Sequence, residues 1–434
     1  MSDPQELRIG LAGFGTVGSG VVRVLQENRQ EILSRCGCRI VLKKIADLDL
    51  DKVRAACLPS DVELTTNAYS LAEDPSLDVV VELMGGLDAA RELISRSLRQ
   101  GKQVVTANKA LLAQAGPDLF PLADRHKTVI RYEAGVAGGI PVIQTLRESL
   151  VANRITSIVG ILNGTSNYIL SEMTSTGSSF EQALAEAQAA GYAEADPTLD
   201  IDGHDTAHKL ILLIRLAWGM DYPYEQLPIA GIRSAQSIDI DFAGEFNCRL
   251  KLLGLARMQG GRLEASVHPT LVSRAYMLSL VGGAYNAVHI EGNAVGSLFL
   301  HGPGAGSLPT ASAVIADLAA AARDKSAGVA SFVRQASVPP LLSLPLAPPD
   351  EAEAPWYLRF TVRDRPGVLR DLAGCLAREE VSIAQAIQRG GTQIGVPVVL
   401  KTHIASARAI NRAVAQMRKD DLLLAPAVCY RILE

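Results

Sequence analysis

The richest cluster of reactive side chains lies between Gly191 and Lys209, where five carboxylates, two histidines and a lysine follow one another closely. Asp205 and Lys209 are four residues apart, so on a helix they share one face, one turn from each other. A lysine beside carboxylates stays protonated, and when partly buried it can pass a proton to a carbonyl oxygen. A carboxylate can hold a substrate ammonium group. The spacing therefore fits a carbonyl-reduction site, and it fits an ordinary surface ion pair equally well.

The same cluster contains two patterns that resemble metal sites. His204 and His208 are also four residues apart, but two ligands do not make a zinc site and the sequence offers no evident third. The carboxylates at positions 196, 200 and 202 lack the spacing and the terminal glutamate of an EF-hand loop. We therefore expect neither zinc nor calcium at this cluster.

A glycine-rich turn near the N-terminus indicates nucleotide binding. It follows a predicted strand over residues 8–12 and opens a predicted helix over residues 17–33. In that context the first glycine permits a tight turn, the second lets the backbone approach a pyrophosphate, and the third lets helix and strand pack closely. A purely structural glycine turn is the alternative. We expect the cofactor to contact the run Gly13-Phe14-Gly15-Thr16-Val17-Gly18.

The end of the second predicted strand, over residues 39–46, should decide which nicotinamide cofactor is used. Asp47 follows this strand directly, and an acidic residue there can accept hydrogen bonds from the ribose hydroxyls of NAD. Lys52 and Arg54 are near enough to attract the extra phosphate of NADP. Asp47 therefore favours NAD and dual use of NAD and NADP stays open, with a solvated turn residue as the alternative role for Asp47.

Composition excludes several classes of protein. The 434 residues carry a net charge of −4, so there is no basic excess for binding nucleic acid. The most apolar helical stretch, over residues 210–218, contains Arg215 and is too short to span a bilayer. The six cysteines form no Cys-x-x-Cys pair, and the N-terminus lacks a signal-peptide pattern. We therefore expect a cytoplasmic protein with neither a nucleic-acid nor a membrane partner.

The first third of the chain alternates apolar strands with amphipathic helices, which is typical of an α/β fold with a Rossmann-type, doubly wound parallel sheet. Further strands are predicted at 39–46, 78–83, 103–106 and 128–132, and a helix at 88–99. The middle mixes strands at 154–162 and 262–269 with helices at 180–190 and 205–218, which favours a separate α+β domain. Ser178 and Glu181 have capping-box spacing at the start of one of these helices.

The last quarter is separated by a proline-rich segment. Six prolines between residues 336 and 355 predict a semi-rigid spacer. The patterns after it follow a βαββαβ order, which indicates a small ferredoxin-like domain with strands at 356–362, 381–388, 395–402 and 427–433 and helices at 367–379 and 406–419. We therefore predict a dinucleotide-binding domain at 1–134 on which 310–335 packs back, an α+β domain at 135–309, a linker at 336–355 and a terminal domain at 356–434.

Several motifs, in order along residues 7–330, resemble the homoserine dehydrogenase family. The longest is Ala187-x-x-x-Gly191-Tyr192-Ala193-x-x-Asp196-Pro197-x-x-Asp200-Ile201-x-Gly203-x-Asp205-x-x-x-Lys209. The others are the glycine-rich turn, Val105-Thr106-Ala107-Asn108-Lys109, and the runs at 135–141, 162–168 and 302–306. Long motifs in register are far more specific than any one of them alone.

The resemblance implies reversible reduction of L-aspartate 4-semialdehyde to L-homoserine by NAD(P)H, on the way to threonine, methionine and isoleucine. Lys209 would donate the proton to the carbonyl oxygen, and Lys109 would assist it and touch the cofactor. Gly191 and Gly304 would line the nicotinamide side. The α+β domain would carry both catalysis and dimerisation.

The resemblance also implies how the substrate and an ion are held. Glu194 and Asp205 would bind the substrate, and Asp200 would organise the catalytic lysine. A structural sodium or potassium ion would bind the carboxylate of Glu133 and three backbone carbonyls. Carboxylate and carbonyl oxygens suit a hard cation. The carbonyls would be those of Val136, Gly138 and Ile140.

One position departs from the family pattern. Many members have an arginine where Leu48 stands, and that arginine serves the phosphate of NADP. Its absence agrees with Asp47 in weakening the expectation of strict NADP dependence.

The run over residues 357–369 resembles the opening of ACT domains, which bind small amino acids at domain interfaces. Pro366 and Gly367 make a tight turn that brings backbone N–H groups toward a carboxylate, with Asp364 beside them. The resemblance implies feedback inhibition by L-threonine and paired terminal domains in a homodimer or homotetramer. A dimerisation module that has lost its ligand is the alternative.

Two other functions stay open from the residues. The glycine-rich turn and the terminal domain alone would permit a non-catalytic, nucleotide-binding amino-acid sensor. The Asp205 and Lys209 pair argues against it, because a sensor needs no proton donor. A different amino-acid dehydrogenase is the second alternative, and the long motif ending at Lys209 disfavours it.

Overall fold

The computed structural model describes residues 5–328, 344–391 and 394–434. The described residues form two compact units, the first from 5–156, 207–226 and 286–328 and the second from 157–206, 227–285, 344–391 and 394–434. The division into three domains and a linker stays a prediction. In the described ranges, no helix is both long enough and apolar enough to cross a membrane.

The described residues contain the following β-strands. They are β1 (Gln5–Ala12), β2 (Cys38–Ala46), β3 (Glu63–Thr65), β4 (Val79–Glu82), β5 (Gln103–Thr106), β6 (Ile130–Arg131), β7 (Ile155–Ile161), β8 (Cys248–Gln259), β9 (Arg262–Ser273), β10 (Tyr285–Gly292), β11 (Gly296–Pro303), β12 (Glu353–Ala354), β13 (Trp356–Val362), β14 (Ile383–Gln388), β15 (Val396–Thr402), β16 (Ala405–Ser406) and β17 (Val428–Leu433).

The described residues also contain the following α-helices. They are α1 (Thr16–Glu27), α2 (Arg29–Cys36), α3 (Leu50–Arg54), α4 (Tyr69–Glu73), α5 (Asp88–Arg99), α6 (Lys109–Arg125), α7 (Val142–Gln144), α8 (Gly164–Thr176), α9 (Phe180–Ala189), α10 (Thr198–Ile201), α11 (His204–Trp218), α12 (Ser237–Glu245), α13 (Ser307–Ser326), α14 (Val368–Arg378) and α15 (Ala407–Lys419).

A parallel sheet organises the first unit. Its strands lie in the order β3-β2-β1-β4-β5-β6, and every neighbouring pair is parallel. The apolar run of β4 is buried throughout, as expected for a strand covered on both faces. Helix α13 packs on this sheet, because Ala311, Val314 and Leu318 share one buried core with Ile9 of β1. The predicted Rossmann-type sheet is confirmed.

A mixed sheet runs through the second unit in the order β7-β8-β9-β17-β13-β15-β14. The long hairpin β8–β9 is antiparallel and turns at Gly260 and Gly261, both with positive φ. The predicted βαββαβ order is present in the last quarter, formed by strands β13, β14, β15 and β17 with helices α14 and α15. In the sheet these strands lie in the order β17-β13-β15-β14, and each neighbouring pair is antiparallel. Strand β17 also pairs with β9 in parallel, so this ferredoxin-like arrangement continues the sheet of the preceding strands.

Two local predictions for the helices are wrong. The helix expected over 17–33 is two helices, because Asn28 leaves the helical region at φ −107° and ψ 20°. The capping box begins one residue later than expected, with the Ser179 hydroxyl accepting from the Gln182 N–H and the Gln182 side chain accepting from the Ser179 N–H. The Ser178 N–H donates to Thr176 Oγ1 at 3.2 Å, one residue before the cap.

The described end of the predicted spacer is attached to β9. The Pro345 carbonyl accepts from the Leu263 N–H at 2.9 Å, and the Ala347 N–H donates to the Leu263 carbonyl at 3.0 Å. Strand β12 then pairs antiparallel with β16. Residues 329–335, predicted to pack on the first domain, and residues 336–343 of the spacer lie outside the described residues.

A buried ion pair joins α12 to β13. The Arg359 guanidinium donates to both carboxylate oxygens of Asp239, at 2.5 and 3.0 Å, and the Tyr357 hydroxyl donates to the same carboxylate at 2.7 Å. The Asp239 side chain is fully buried. Burial, together with the Asp239 carboxylate, raises the pKa of Tyr357, so its hydroxyl stays a donor.

Replacing Asp239 should destabilise the second unit strongly. In Asp239→Ala the guanidinium and the Tyr357 hydroxyl lose their acceptor while buried, which costs about 3–5 kcal/mol. Asp350→Ala is the matched control, because it breaks the exposed pair with Arg408 and should cost at most about 1 kcal/mol. Denaturant titration followed by tryptophan fluorescence measures both, since Trp356 lies on β13. Equal midpoints for the two variants would show that Asp239→Ala leaves no costly unpaired charge behind.

Candidate active site

In the glycine-rich turn, Gly13 and Gly18 have no room for a side chain, whereas Gly15 faces open space. Gly13 has φ +95°, and a Cβ added there would lie 2.5 Å from the Leu83 carbonyl oxygen. A Cβ on Gly18 would collide with the carbonyl of Gly13, whereas one on Gly15 would meet no atom within 4 Å. Helix α1 begins directly after Gly15. The turn therefore offers open space where a pyrophosphate can approach backbone N–H groups at the start of a helix.

Asp47 ties this turn to the end of β2. One of its carboxylate oxygens accepts from the Phe14 N–H at 2.6 Å, and the other accepts from the Asp49 N–H at 2.8 Å. The next side chain, Leu48, is 89% exposed and offers no donor to a phosphate. Sequence reasoning placed Asp47 beside the cofactor without recognising this second role in shaping the turn.

A network of polar side chains lies at the carboxyl ends of β4 and β5. Parallel sheets bind their ligands at this edge. Thr106 Oγ1 donates to the Glu82 carboxylate at 2.6 Å and accepts from the Asn108 N–H at 2.9 Å. Burial raises the pKa of Glu82. Asn108 then caps α6, whose first residue is Lys109. Sequence reasoning missed Glu82, although a carboxylate that ends an apolar strand is a recognisable signal.

In the second unit one amide holds two of the predicted substrate carboxylates. Asn163 Nδ2 donates to Asp200 Oδ1 at 2.7 Å and to Asp205 Oδ2 at 2.8 Å. Its Oδ1 accepts from the Ser166 N–H at 2.7 Å, which makes Asn163 the N-cap of α8. The structure thus brings Asp200 and Asp205 together through a residue that sequence reasoning left without a role, although its Asn-Gly-Thr-Ser run is a helix-start signal.

Helix α11 carries Asp205 and Lys209 in successive turns, as the spacing predicted. Both side chains are buried, with 8% and 7% of their surface exposed. A surface ion pair, the alternative from spacing alone, is therefore wrong for these residues. His208, on the same helix, stacks on the Tyr224 ring with centroids 5.1 Å apart.

The bend between α9 and α10 carries two more predicted site residues. Gly191 has φ +77° and lies at the surface, with no atom within 4 Å of an added Cβ. Tyr192 packs its ring on Tyr168 at 4.5 Å between centroids, and its carbonyl accepts from Thr165 Oγ1 at 2.7 Å. Glu194 is exposed on this bend. The Asn163 amide described above contacts Asp200 and Asp205, and Glu194 lies outside that contact.

Two buried carboxylates lie side by side in the first unit. The Glu133 carboxylate accepts from the N–H groups of Ile143 and Gln144 at 2.9 and 2.8 Å, while the Glu133 N–H donates to Asp317 at 2.8 Å. Burial and the Asp317 carboxylate raise the pKa of Glu133 to about 7, and burial raises the pKa of Asp317 to about 6. Sequence reasoning missed Asp317, a lone carboxylate within an alanine-rich helix.

The loop after Glu133 leads to Gly304. Ala137 and Gly138 both have φ +56°, and a Cβ on Gly138 would lie 2.5 Å from the Gly304 carbonyl. A Cβ on Gly304 would collide with the Asn286 side chain. The close approach of these two backbones therefore needs glycine at both positions. Val136 is buried in the same loop, and the Ile140 carbonyl accepts from the Val142 N–H at 2.8 Å.

Comparison with known proteins identifies the family. Models described as homoserine dehydrogenase and as its NAD-binding domain match residues 141–319 and 13–133. The homoserine dehydrogenase of Neisseria gonorrhoeae is 43% identical over 98% of both chains. A solved homoserine dehydrogenase from Thiobacillus denitrificans is 41% identical, with a TM-score of 0.92 and 99% of each chain covered. A hyperthermophilic archaeal homoserine dehydrogenase solved with NADPH is 29% identical, with a TM-score of 0.61 over 72% of this chain and 97% of that one. The chain belongs to the homoserine dehydrogenase family and is an NAD(P)-dependent oxidoreductase.

Proposed function

We propose that the chain catalyses the reversible reduction of L-aspartate 4-semialdehyde to L-homoserine, a step toward threonine, methionine and isoleucine. The observation that carries this proposal is the buried pair of Asp205 and Lys209 on successive turns of α11, with Asn163 holding Asp205. A protonated lysine with little access to water is suited to donate to one oxygen at a defined position. The nicotinamide, when bound, supplies the hydride.

The proposed roles divide between proton transfer and binding. The Lys209 ammonium donates a proton to the carbonyl oxygen as that oxygen gains negative charge, and Lys109 stabilises the same charge. Asp205 and Glu194 bind the substrate ammonium group. Asp200 orients the catalytic lysine, and the Asn163 amide fixes Asp200 relative to Asp205.

The cofactor is proposed to lie on the run from Gly13 to Gly18, with Gly191 and Gly304 on the nicotinamide side. Open space at Gly15 and the start of α1 support the pyrophosphate position. Each Asp47 oxygen accepts one backbone hydrogen bond and keeps a second lone pair for a ribose hydroxyl. The exposed Leu48 supports use of NAD in addition to NADP.

A structural sodium or potassium ion is proposed at Glu133 and the carbonyls of Val136, Gly138 and Ile140. The donor set fits, since it combines a buried carboxylate with carbonyls of a loop that has two left-handed residues. The neighbouring Asp317 carboxylate adds negative charge beside Glu133. The N–H groups of Ile143 and Gln144 and the Arg147 guanidinium offset this charge only in part, since the pKa of Glu133 is still raised. A cation there would hold the loop that reaches Gly304, away from the proton-transfer step.

The terminal strands and helices are proposed to form an ACT domain that binds L-threonine as a feedback inhibitor. Support comes from the turn between β13 and α14, where Asp364, Pro366 and Gly367 are exposed and Gly367 has φ +86° at the helix start. A homodimer or homotetramer is proposed as the working assembly. Met277 and Leu280 expose apolar side chains on one short helical turn, a surface that a second subunit could cover.

Steady-state kinetics test the proposed reaction and its regulation together. We expect the protein to oxidise both NADH and NADPH in the presence of L-aspartate 4-semialdehyde, with L-threonine lowering the rate. If folded protein shows no turnover with either cofactor, the proposed substrate is wrong. Unchanged kinetics and no binding heat on titration with threonine would leave the terminal domain without its proposed ligand.

Lys209→Met tests the proton donor. Removing the ammonium should lower kcat by about 10²- to 10⁴-fold while cofactor affinity stays within about twofold, because the role is confined to the reacting oxygen. Lys43→Met is the control, since Lys43 forms an exposed pair with Asp61 on the surface of the first unit. Stopped-flow single turnovers and NADH fluorescence titration separate the two effects. A near-normal kcat in Lys209→Met would remove this residue from its role.

Gly15→Ala tests the cofactor position. A methyl group enters the open space that the pyrophosphate is proposed to use, so cofactor affinity should fall about tenfold or more. The thermal midpoint should fall only slightly, because Gly15 is the N-cap of α1 and alanine is a weaker cap. Gly244→Ala is the control, since it also adds a methyl group in open space but on α12. Unaltered NADH affinity in Gly15→Ala would place the pyrophosphate elsewhere.

A further inference from the structure

Lys251 of β8 is a buried cation to which the proposed reaction gives no role. Only 3% of its surface is exposed, and its Nζ donates to the Val281 carbonyl at 2.5 Å and to Asn167 Oδ1 at 2.9 Å. Both acceptors are neutral, so neither contact is a salt bridge. We propose that Lys251 is a positioning residue, which fixes the loop 281–285 against the start of α8 and thereby sets the substrate-binding carboxylates.

The first step runs from the lysine to Asn167, which is 1% exposed. Because Asn167 Oδ1 accepts from the ammonium, its NH₂ group must face the other way. That group lies within hydrogen-bonding distance of three carbonyls, those of Val281 at 3.2 Å, Gly283 at 2.9 Å and Tyr285 at 3.1 Å. Lys251 therefore fixes the orientation of the amide that gathers the loop.

The second step runs from the loop to the carboxylate network. A Cβ on Gly164 would lie 2.8 Å from the Ala284 carbonyl oxygen, so the loop presses directly on the first residue of α8. The preceding residue is Asn163, whose amide holds Asp200 and Asp205. Asn163 and Asn167 are four residues apart, one turn of α8 from each other. A shift of the loop would therefore move the amide that aligns the two carboxylates.

Burying Lys251 is costly, which indicates that this side chain does more than fill space. Burial lowers the pKa of Lys251 to about 7, and the Arg249 guanidinium on the same strand adds to this effect. A buried ammonium with only neutral acceptors is costly, whereas methionine would fill the same space without that cost. What methionine lacks is the pair of donors that orient Asn167 and Val281.

The inference rests on the proposed function, and a second buried lysine supplies its control. Lys102 is 7% exposed in the first unit, and its Nζ donates to the carbonyls of Asp74 and Leu77. Lys251→Met and Lys102→Met therefore each remove a buried lysine that donates to carbonyl oxygens. The thermal midpoints of both variants check that each one folds.

The two variants should differ in the full-length enzyme. In Lys251→Met we expect the KM for L-aspartate 4-semialdehyde to rise about tenfold because Asp205 is loosened, and kcat to fall because Asp200 no longer orients Lys209. The KM for the cofactor should stay within about twofold. In Lys102→Met the substrate KM should be unchanged. Equal effects of both variants on substrate KM, or none in Lys251→Met, would overturn the positioning role. If Lys251→Met does not fold, Lys251→Gln, which keeps one donor group, tests the same direction.

A measurement without turnover separates this inference from the proposed reaction. Hydrogen–deuterium exchange should become at least about tenfold faster at the Ser166 amide, which Asn163 protects, in Lys251→Met and not in Lys102→Met. Unchanged exchange there would overturn the positioning role even if the wild-type enzyme is fully active. An inactive wild type with the expected exchange pattern would instead sink the substrate assignment alone.

Discussion

Two neighbouring carboxylates repel each other unless donors satisfy them, and in this chain the Asn163 amide donates to both buried Asp205 and half-buried Asp200. An amide has donors on one side and an acceptor on the other. Asn163 uses the donors for Asp200 and Asp205 and the acceptor for the N–H of Ser166. The position of both carboxylates therefore depends on where α8 begins.

The start of α8 depends in turn on the strands around it. Lys251 lies on β8, in the long hairpin with β9, and β17 extends that hairpin sheet by parallel pairing. The terminal strands are thus joined to the hairpin by a ladder of backbone hydrogen bonds, and the Arg359–Asp239 pair adds a buried link to α12. Their arrangement does not depend on the proline-rich segment alone, because a ladder and a buried ion pair restrict movement far more than a tether does.

Local patterns sufficed to predict the glycine-rich turn and the shared helix of Asp205 and Lys209, because each depends on residues that are close in the sequence. The alternation of apolar strands with helices sufficed for the parallel sheet, although its strands pair residues far apart in the sequence. The roles of Asn163 and Asp317 depend on partners that are distant in the sequence, such as Asp205 for Asn163 and Glu133 for Asp317. No periodicity encodes such contacts. Lys251 was missed for the same reason, since a lysine in a strand ordinarily points to solvent.

The cofactor question shows how one local sequence can serve two purposes. Asp47 must accept from the Phe14 N–H to hold the glycine-rich turn against β2, so a carboxylate is useful there whichever cofactor binds. The presence of Asp47 is therefore only weak support for NAD, because this carboxylate would be needed even if it bound no ribose hydroxyl. Leu48 is the more informative residue, because its exposed side chain has no structural duty and no donor for a phosphate. A preference for NADP would have to come from Lys52 or Arg54, which lie within α3 one turn farther along the chain.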